Sequence, residues 1–536
     1  MFMNRSPQYA HVRIGVVAAV AAFGLLFSAG LNARAAGVVV TSGGPITGLK
    51  LAAENAYLGV PYAAPPVGAL RWEPPAPAAP FPGTFHAIRY APHCAQVASP
   101  FGIASTSEDC LYLNVFTPLK EHAGDRRPVM VWIHGGAFVV GESDDYDPVR
   151  LVGNNVDVVT INYRLGALGF LAQSSLDGEG HLFANYGLLD QQAAIAWVKR
   201  NAAAFGGDAN RITIFGESAG GASVLSQVAS PLATGLFSRA IIESGSYVNT
   251  PTLPAAEAAG AAFATAAGCS SETSACLRSL PVSTILANEP AQYVPTVDGA
   301  ILPLNPKVAV ATGAFNRVPV IDGTNADEYR LFTGLDFDLM GGPITAATYP
   351  GAIAAEVGAA AAPFVLAEYP ASGYPSPDVA NSAALTDGAF SCDALFLDES
   401  LAKYVPTYAY EFSDVRAPEL YLPPVSFPYQ AAHASELQYI FNLRSAFPQA
   451  LDPAQVALAA TMVSYWTNFA RNDKPFSQGN LFWPQYSPKF DDMIHLDTPN
   501  SPFTAFAREH KCAFWRELFS AASAGDRASR SAVHIR

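Results

Sequence analysis

A chain of 536 residues with a formal net charge of −14, half of it hydrophobic and 14% of it charged, is acidic and rich in core-forming residues. That balance argues against nucleic acid and anionic membrane surfaces as partners. Its 42 prolines and 42 glycines are spread as loop punctuation, and no low-complexity linker or internal repeat divides it into separate domains.

The N-terminus carries Arg5 and Arg13, then an apolar run from Ile14 to Gly30, then Ala33-Arg34-Ala35-Ala36. Charged, hydrophobic and small-residue regions in that order read as a secretory signal peptide over residues 1–35, cleaved near Ala35. The run is shorter than the roughly twenty residues that span a bilayer comfortably, so no stable membrane anchor is expected after cleavage. Losing Arg5, Arg13 and Arg34 takes the formal charge from −14 to −17. Export to the periplasm or the medium permits disulfides among the six cysteines, and sequence alone does not choose their pairing.

Further along, Val129-Met130-Val131-Trp132-Ile133-His134 is a strand-like run ending in Gly135-Gly136-Ala137-Phe138, where glycines let main-chain amides face a ligand. Glu142, Asp144, Asp145 and Asp147 follow. They lack the spacing of a calcium loop and read as a solvated acidic loop, with no metal implied. Gly187 to Phe205 is helix-like. The β-branched run Arg211-Ile212-Thr213-Ile214-Phe215 then leads into Gly216-Glu217-Ser218-Ala219-Gly220 and a small-residue run, the order strand, tight turn, helix. A G-x-S-x-G turn in that setting is a nucleophile elbow, with the following helix aiming its first amides at the developing oxyanion.

A serine needs a general base, and the base needs an orienting carboxylate; the elbow orders them serine, acid, histidine. Of ten histidines, those upstream, including His93, His122, His134 and His181, have the wrong order, which leaves His433, His495, His510 and His534. His534 lies in a polar tail and His495 and His510 close to the C-terminus. His433 lies in a small-residue loop after the strand-like Thr407 to Phe412, the setting of a loop-borne base. Val318 to Gly323 reads as a buried strand running into Asp327 and Glu328, and spacing does not separate those two acids. His134 is read as holding the glycine loop, and Glu217 as a buried polar neighbour. No dinucleotide, phosphate or metalloprotease motif appears in a supporting context, so no cofactor is implied.

From Gly37 to Phe519 the sequence resembles the type B carboxylesterase/lipase family, the α/β-hydrolases that include the cholinesterases and many bacterial carboxylesterases. Phe205-Gly206-Gly207-Asp208 through Gly221 is similar to the family's serine signature, and Ser107 through Val115 to its second signature. Gly59 to Ala63, Pro65 to Gly68 and Tyr465 to Ala470 are further matches. The alternation of strand-like and helix-like runs and the resemblance both imply an α/β-hydrolase fold over residues 36–520, a mostly parallel sheet covered by helices with large loop and helical insertions, while the tail over 521–536, rich in Ala, Ser and Arg, is expected to be disordered. The resemblance implies the triad Ser218, Glu328 and His433, and it is the family's preference for glutamate that selects Glu328. It assigns the oxyanion hole to the amides of Gly136, Ala137 and Ala219. It pairs Cys94 with Cys110, Cys269 with Cys276 and Cys392 with Cys512. Arg71 with Glu108, and Arg164 with Asp190, look like its structural ion pairs.

The expected function is therefore that of an exported serine carboxylesterase acting on small neutral esters. Lipase-like, amide or carbamate hydrolysis is the alternative, and a non-catalytic adhesion module of the same fold a remote one. The segment Ala95 to Asp109 contains a single aromatic, Phe101, so no aromatic cage for a cation is expected from it. Oligomeric state is not legible.

Overall fold

The computed structural model describes residues 34–119, 125–180, 184–290, 293–444, 447–476, 479–499, 501–503 and 505–521. The signal peptide read over 1–35 lies outside these except for Arg34 and Ala35, as does the tail over 521–536 except for Ala521.

Twelve strands form the central sheet: β1 (Arg34–Ala35), β2 (Leu49–Lys50), β3 (Glu54–Pro61), β4 (Tyr112–Pro118), β5 (Arg127–Ile133), β6 (Asp157–Ile161), β7 (Gly207–Glu217), β8 (Arg239–Glu243), β9 (Val320–Asn325), β10 (Thr407–Phe412), β11 (Met493–Leu496) and β12 (Ser501–Phe503). Their spatial order is β1-β2-β3-β4-β6-β5-β7-β8-β9-β10-β11-β12. From β6 across to β11 every neighbouring pair is parallel. The pairs outside that block are antiparallel.

The central strands read as continuous apolar runs because both faces are covered. Successive side chains alternate faces, so Val129, Val131 and Ile133 of β5 enter one cluster with Ile212, Ile214 and Ile242. Helices α1 (Tyr186–Asn201) and α2 (Ala219–Ala229) cover that face. Met130 and Trp132 enter the opposite cluster with Phe215, Ile241 and Tyr410, beneath α3 (Pro453–Asn472). In α3, Leu458, Met462, Trp466 and Phe469 share one buried stripe. Its start is fixed by Asp452, which accepts from the N–H groups of Ala454 and Gln455, while the Gln455 side chain accepts from the Asp452 N–H. That reciprocal box, with Pro453 at the first helical position, satisfies donors the helix itself leaves open.

Three disulfides, Cys94–Cys110, Cys269–Cys276 and Cys392–Cys512, account for all six cysteines. The Arg71 guanidinium holds Glu108 through two bonds of 2.6 Å and also donates to the carbonyls of Leu280 and Arg278. Arg164 and Asp190 form a second, fully buried bidentate pair at 2.7 Å.

The C-terminal segment is pinned by a buried histidine as well as by Cys392–Cys512. His510 Nδ1 lies 2.6 Å from Asp387 Oδ1 and its Nε2 2.5 Å from Glu411 Oε1, while Glu411 Oε2 lies 2.6 Å from His495 Nε2. These contacts give the two histidines rejected as bases structural partners. Burial alone would lower His510, but Glu411 and Asp387 outweigh it and hold the imidazole well above its usual range. Burial alone would raise Glu411, but His510 and His495 outweigh that and bring it from 4.5 to about 2. A raised imidazole adds stability that is complete below its unfolded value and lost only as pH rises through the folded one. A lowered carboxylate adds stability that is lost as pH falls. His510→Gln should therefore cost about 3–5 kcal/mol near neutral pH, as for a buried pair losing one partner. Denaturant titration should show the gap from the parent narrowing as pH falls from about 4.5 towards 2.

Candidate active site

β7 ends at Glu217, and the chain turns into α2 at Ser218, which adopts φ 58° and ψ −124°. A left-handed backbone on a residue with a Cβ costs about 1–3 kcal/mol and persists only where its surroundings fix it. Here the Ser218 N–H donates to Glu243 O on β8 at 2.9 Å, and Ser218 O accepts from the Ala222 N–H at 2.8 Å. The neighbours leave no room for other residues: a Cβ on Gly216 would lie 2.5 Å from Ile133 O, and one on Gly220 only 2.0 Å from it. The glycines of the turn are thus steric necessities, and the side chain they project belongs to the serine.

Glu328 and His433 meet beside this turn. His433 Nδ1 lies 2.5 Å from Glu328 Oε2, with the N–H donating. The other oxygen, Oε1, accepts from the Ser244 hydroxyl at 2.5 Å and from the Asn325 N–H at 2.8 Å. Three donors thus hold a carboxylate that is fully buried. The two loops are stitched together, with the Asp327 N–H donating to Ala431 O and the His433 N–H to Glu328 O. Asp327, the rival acid, is turned away and pairs with Arg330 at 2.8 Å.

A glycine loop, Gly135 to Phe138, follows β5. Gly136, Ala137 and Phe138 are successive residues at φ 98°, 54° and 62°, and the N–H groups of Val139 and Val140 both donate to Gly136 O at 3.0 Å. A Cβ on Gly135 would lie 3.1 Å from Ser218 Cβ, so this loop abuts the serine turn. Buried His134 donates from Nδ1 to Gly135 O at 2.9 Å and stacks on Tyr163 at 4.6 Å, and the Tyr163 hydroxyl donates to His134 O. Burial brings the His134 imidazole down to about 4, so it is neutral and grips the loop without charge.

The comparisons with known proteins follow the same outline. A family model described as "Carboxylesterase family" matches residues 35–515. The chain belongs to the carboxylesterase family. It is 34% identical to "Fatty acyl-CoA hydrolase precursor, medium chain" of Anas platyrhynchos, over 90% of this chain and 92% of that protein. It is also 34% identical to "Liver carboxylesterase" of Sus scrofa, over 90% of this chain and 93% of that protein. A solved structure, "PNB ESTERASE", superposes with a TM-score of 0.76 at 32% identity, covering 89% of this chain and 99% of that one. The protein is accordingly a carboxylic ester hydrolase of the α/β-hydrolase fold, with small-molecule esters as substrates.

Around the site of this carboxylesterase lie residues that sequence reasoning missed. Ser244 is fully buried just past the end of β8, a position readable in principle, since the carboxyl ends of parallel strands gather functional groups. Glu436 has no sequence signal of its own; it is buried against Asn325. The rings of Tyr247, Phe332 and Phe390 surround His433 at 6.4, 5.0 and 5.2 Å.

One expectation is corrected. The loop of Glu142, Asp144, Asp145 and Asp147 is not simply solvated: Glu142 is 1% exposed, because Gln96 and the Ile103 N–H reach its carboxylate. His93, Glu142 and Asp144 place ligating atoms within 4.8 Å of one another and could hold a metal ion. The Arg444 guanidinium, 2.6 Å from Asp145 and 3.6 Å from Asp144, already supplies positive charge there.

Glu217 Oε1 lies 3.1 Å from His433 Nε2, so carboxylates flank both ring nitrogens. Burial would lower the His433 imidazole, but Glu217 and Glu328 outweigh it and lift it to about 9. Burial in turn raises Glu217 to about 8 and Glu436 to about 7. A proton acceptor at His433 works only when neutral, so activity should rise with pH as that proton leaves. Glu217→Gln removes a neighbour that favours the cation, and the acid limb of kcat/KM should move to lower pH by about one unit or more. A pH profile of the variant and its parent reads this directly; an unmoved limb would mean that Glu217 itself stays protonated.

Proposed function

We propose that this protein is an exported serine carboxylesterase that hydrolyses neutral carboxylic esters through an acyl-enzyme. The reading is supported by the strained Ser218 turn and by the His433–Glu328 pair, in which His433 Nε2 lies 3.1 Å from Glu217, the residue before Ser218. In the proposed reaction, Ser218 Oγ attacks the ester carbonyl while His433 Nε2 takes its proton. Glu328 stabilises the imidazolium, and the amides of Gly136, Ala137 and Ala219 hold the oxyanion. His433 returns the proton to the departing alcohol. Water then attacks the acyl-serine, giving a proton to His433, and the acid leaves as the imidazolium returns that proton to Ser218 Oγ.

Export is supported by the leader composition of residues 1–35 and by three disulfides, which persist in oxidising compartments. The mature enzyme would then comprise the hydrolase domain, 36–520, and the tail, 521–536, in the periplasm or the medium. Among the described residues no helix is long and apolar enough to cross a membrane. The neutral-ester preference is supported by Phe101, the lone aromatic of residues 95–109, which packs on Tyr421 at 5.2 Å instead of standing free.

Ser218→Ala and His433→Ala should each lower kcat about ten-thousandfold or more with folding intact. Glu328→Gln should also be severe and Asp327→Asn mild; the reverse ranking would reassign the acid. A fluorophosphonate should label Ser218 and not the alanine variant.

Substrate class is tested with a choline ester and its uncharged carbon isostere. The relative named "Acylcarnitine hydrolase" in Mus musculus makes the contrast pertinent. The isostere should show the higher kcat/KM, and a preference for the cation would overturn the neutral-ester reading. Longer acyl chains, amides and carbamates in the same panel separate the lipase-like and amidase alternatives.

A further inference from the structure

The oxyanion loop is a strained segment whose neck is closed by another part of the chain. Gly141, at φ 115°, ends the loop, and a Cβ there would lie 2.5 Å from His134 Nδ1 and 2.8 Å from Gly135 O. The exit of the loop is thus pressed against its entry. What holds it there is the side chain of Gln96: Oε1 accepts from the Gly141 N–H at 2.8 Å, and Nε2 donates to Gly141 O at 3.1 Å and to Glu142 Oε2 at 3.3 Å. A single carboxamide therefore satisfies both main-chain groups of one residue, as a neighbouring strand would.

Gln96 is itself fixed. It is 1% exposed, lies two residues after Cys94 in the Cys94–Cys110 loop, and pairs through its own N–H and C=O with Ser105 at 2.9 and 3.0 Å. The same disulfide loop grips the next residue as well, with the Ile103 N–H donating to both oxygens of Glu142 at 3.2 Å. Gly102 lies so close that a Cβ would stand 2.9 Å from Gly141 N and 2.3 Å from Gln96 Oε1. The loop's other restraints, from Tyr163 to His134 O and from the Gly166 N–H to Phe138 O, act on its entry and its middle. The disulfide loop holds the exit by side-chain amide and main chain together, through Gln96 and the Ile103 N–H.

We propose that Gln96 is a positioning residue for the oxyanion hole: by clasping Gly141 it fixes the direction of the Gly136 and Ala137 amides, and the first disulfide loop is the strut that carries it. The inference rests on the serine reading given above. Amides that stabilise an oxyanion act through their placement, so a loosened neck weakens transition-state binding and spares substrate binding.

The test compares the full-length enzyme with Gln96→Met, which keeps the length and loses both hydrogen-bonding groups, and Gln96→Glu, which keeps the acceptor for the Gly141 N–H. Steady-state kinetics on an aryl ester are set beside inhibition by a trifluoromethyl ketone of the same acyl part, whose adduct with Ser218 places an oxyanion in the hole. Gln96→Met should lower kcat about tenfold to a hundredfold, less than outright loss of a donor, with KM nearly unchanged. The inhibition constant should rise by the same factor, and Gln96→Glu, which sets a carboxylate oxygen against Gly141 O and the Glu142 carboxylate, should lose at least as much. A fall in melting temperature with kcat and inhibitor affinity retained would make Gln96 a tether of the fold and overturn the inference; if Gln96→Met does not fold, Gln96→Glu alone decides by the same pair of readings. Ser218→Ala is the separate control. If it retains turnover, the serine reading falls and this inference with it; if it is inert while both Gln96 variants match the parent, only this inference falls.

Discussion

Parallel strands all point one way, and the site depends on that constraint. Seven neighbouring strands, β6, β5, β7, β8, β9, β10 and β11, present their carboxyl ends along a single edge. The glycine loop of residues 135–138 leaves β5, Ser218 follows β7, Ser244 follows β8, Glu328 follows β9, and the loop of His433 follows β10. Residues more than a hundred positions apart meet within hydrogen-bond distance because the sheet brings their strand ends together. The covered faces keep that edge rigid, since a doubly buried sheet cannot shift one strand without opening the packing on both sides.

Rigidity at the edge is matched by strain and by crowded charge. Ser218, Ala137 and Phe138 hold left-handed conformations that an unsupported chain would abandon. Glu217, Glu328 and Glu436 are buried around the His433 imidazole, and Glu243 is buried beside Glu217 and Glu436. Burial raises Glu217, Glu243 and Glu436, so the cluster retains protons that isolated carboxyls would release. The charge left on it favours the cationic form of the His433 imidazole, which is lifted to about 9. Folding must tolerate this arrangement, and the stability it costs is offset elsewhere by the two apolar clusters and by pairs such as Arg164–Asp190.

Much of this was readable from residues whose constraint is local. The apolar run ending at Ile133 became β5, Thr407 to Phe412 became β10 without a shift, and Arg211 to Phe215 sits inside the longer β7. Gly216 and Gly220 flank the serine because no side chain fits there, and that requirement is written in the sequence itself. What was not readable depended on tertiary neighbours. Glu142 reads as one more exposed acid until Gln96, forty-six positions away, buries it. Ser244 and Glu436 sit in stretches without a motif, and choosing Glu328 over Asp327 needed family resemblance, since either could follow a strand end.

The covalent closure of residues 94–110 has a further consequence, for resistance to proteolysis. Val97 and Ile103 stand exposed on that loop and offer themselves to proteases. A cut between them would leave both fragments joined through Cys94–Cys110, with Gln96 still attached beside Cys94. Digestion would then nick the chain without releasing a piece of it, and the two halves would come apart there only when a reductant also opened the bridge.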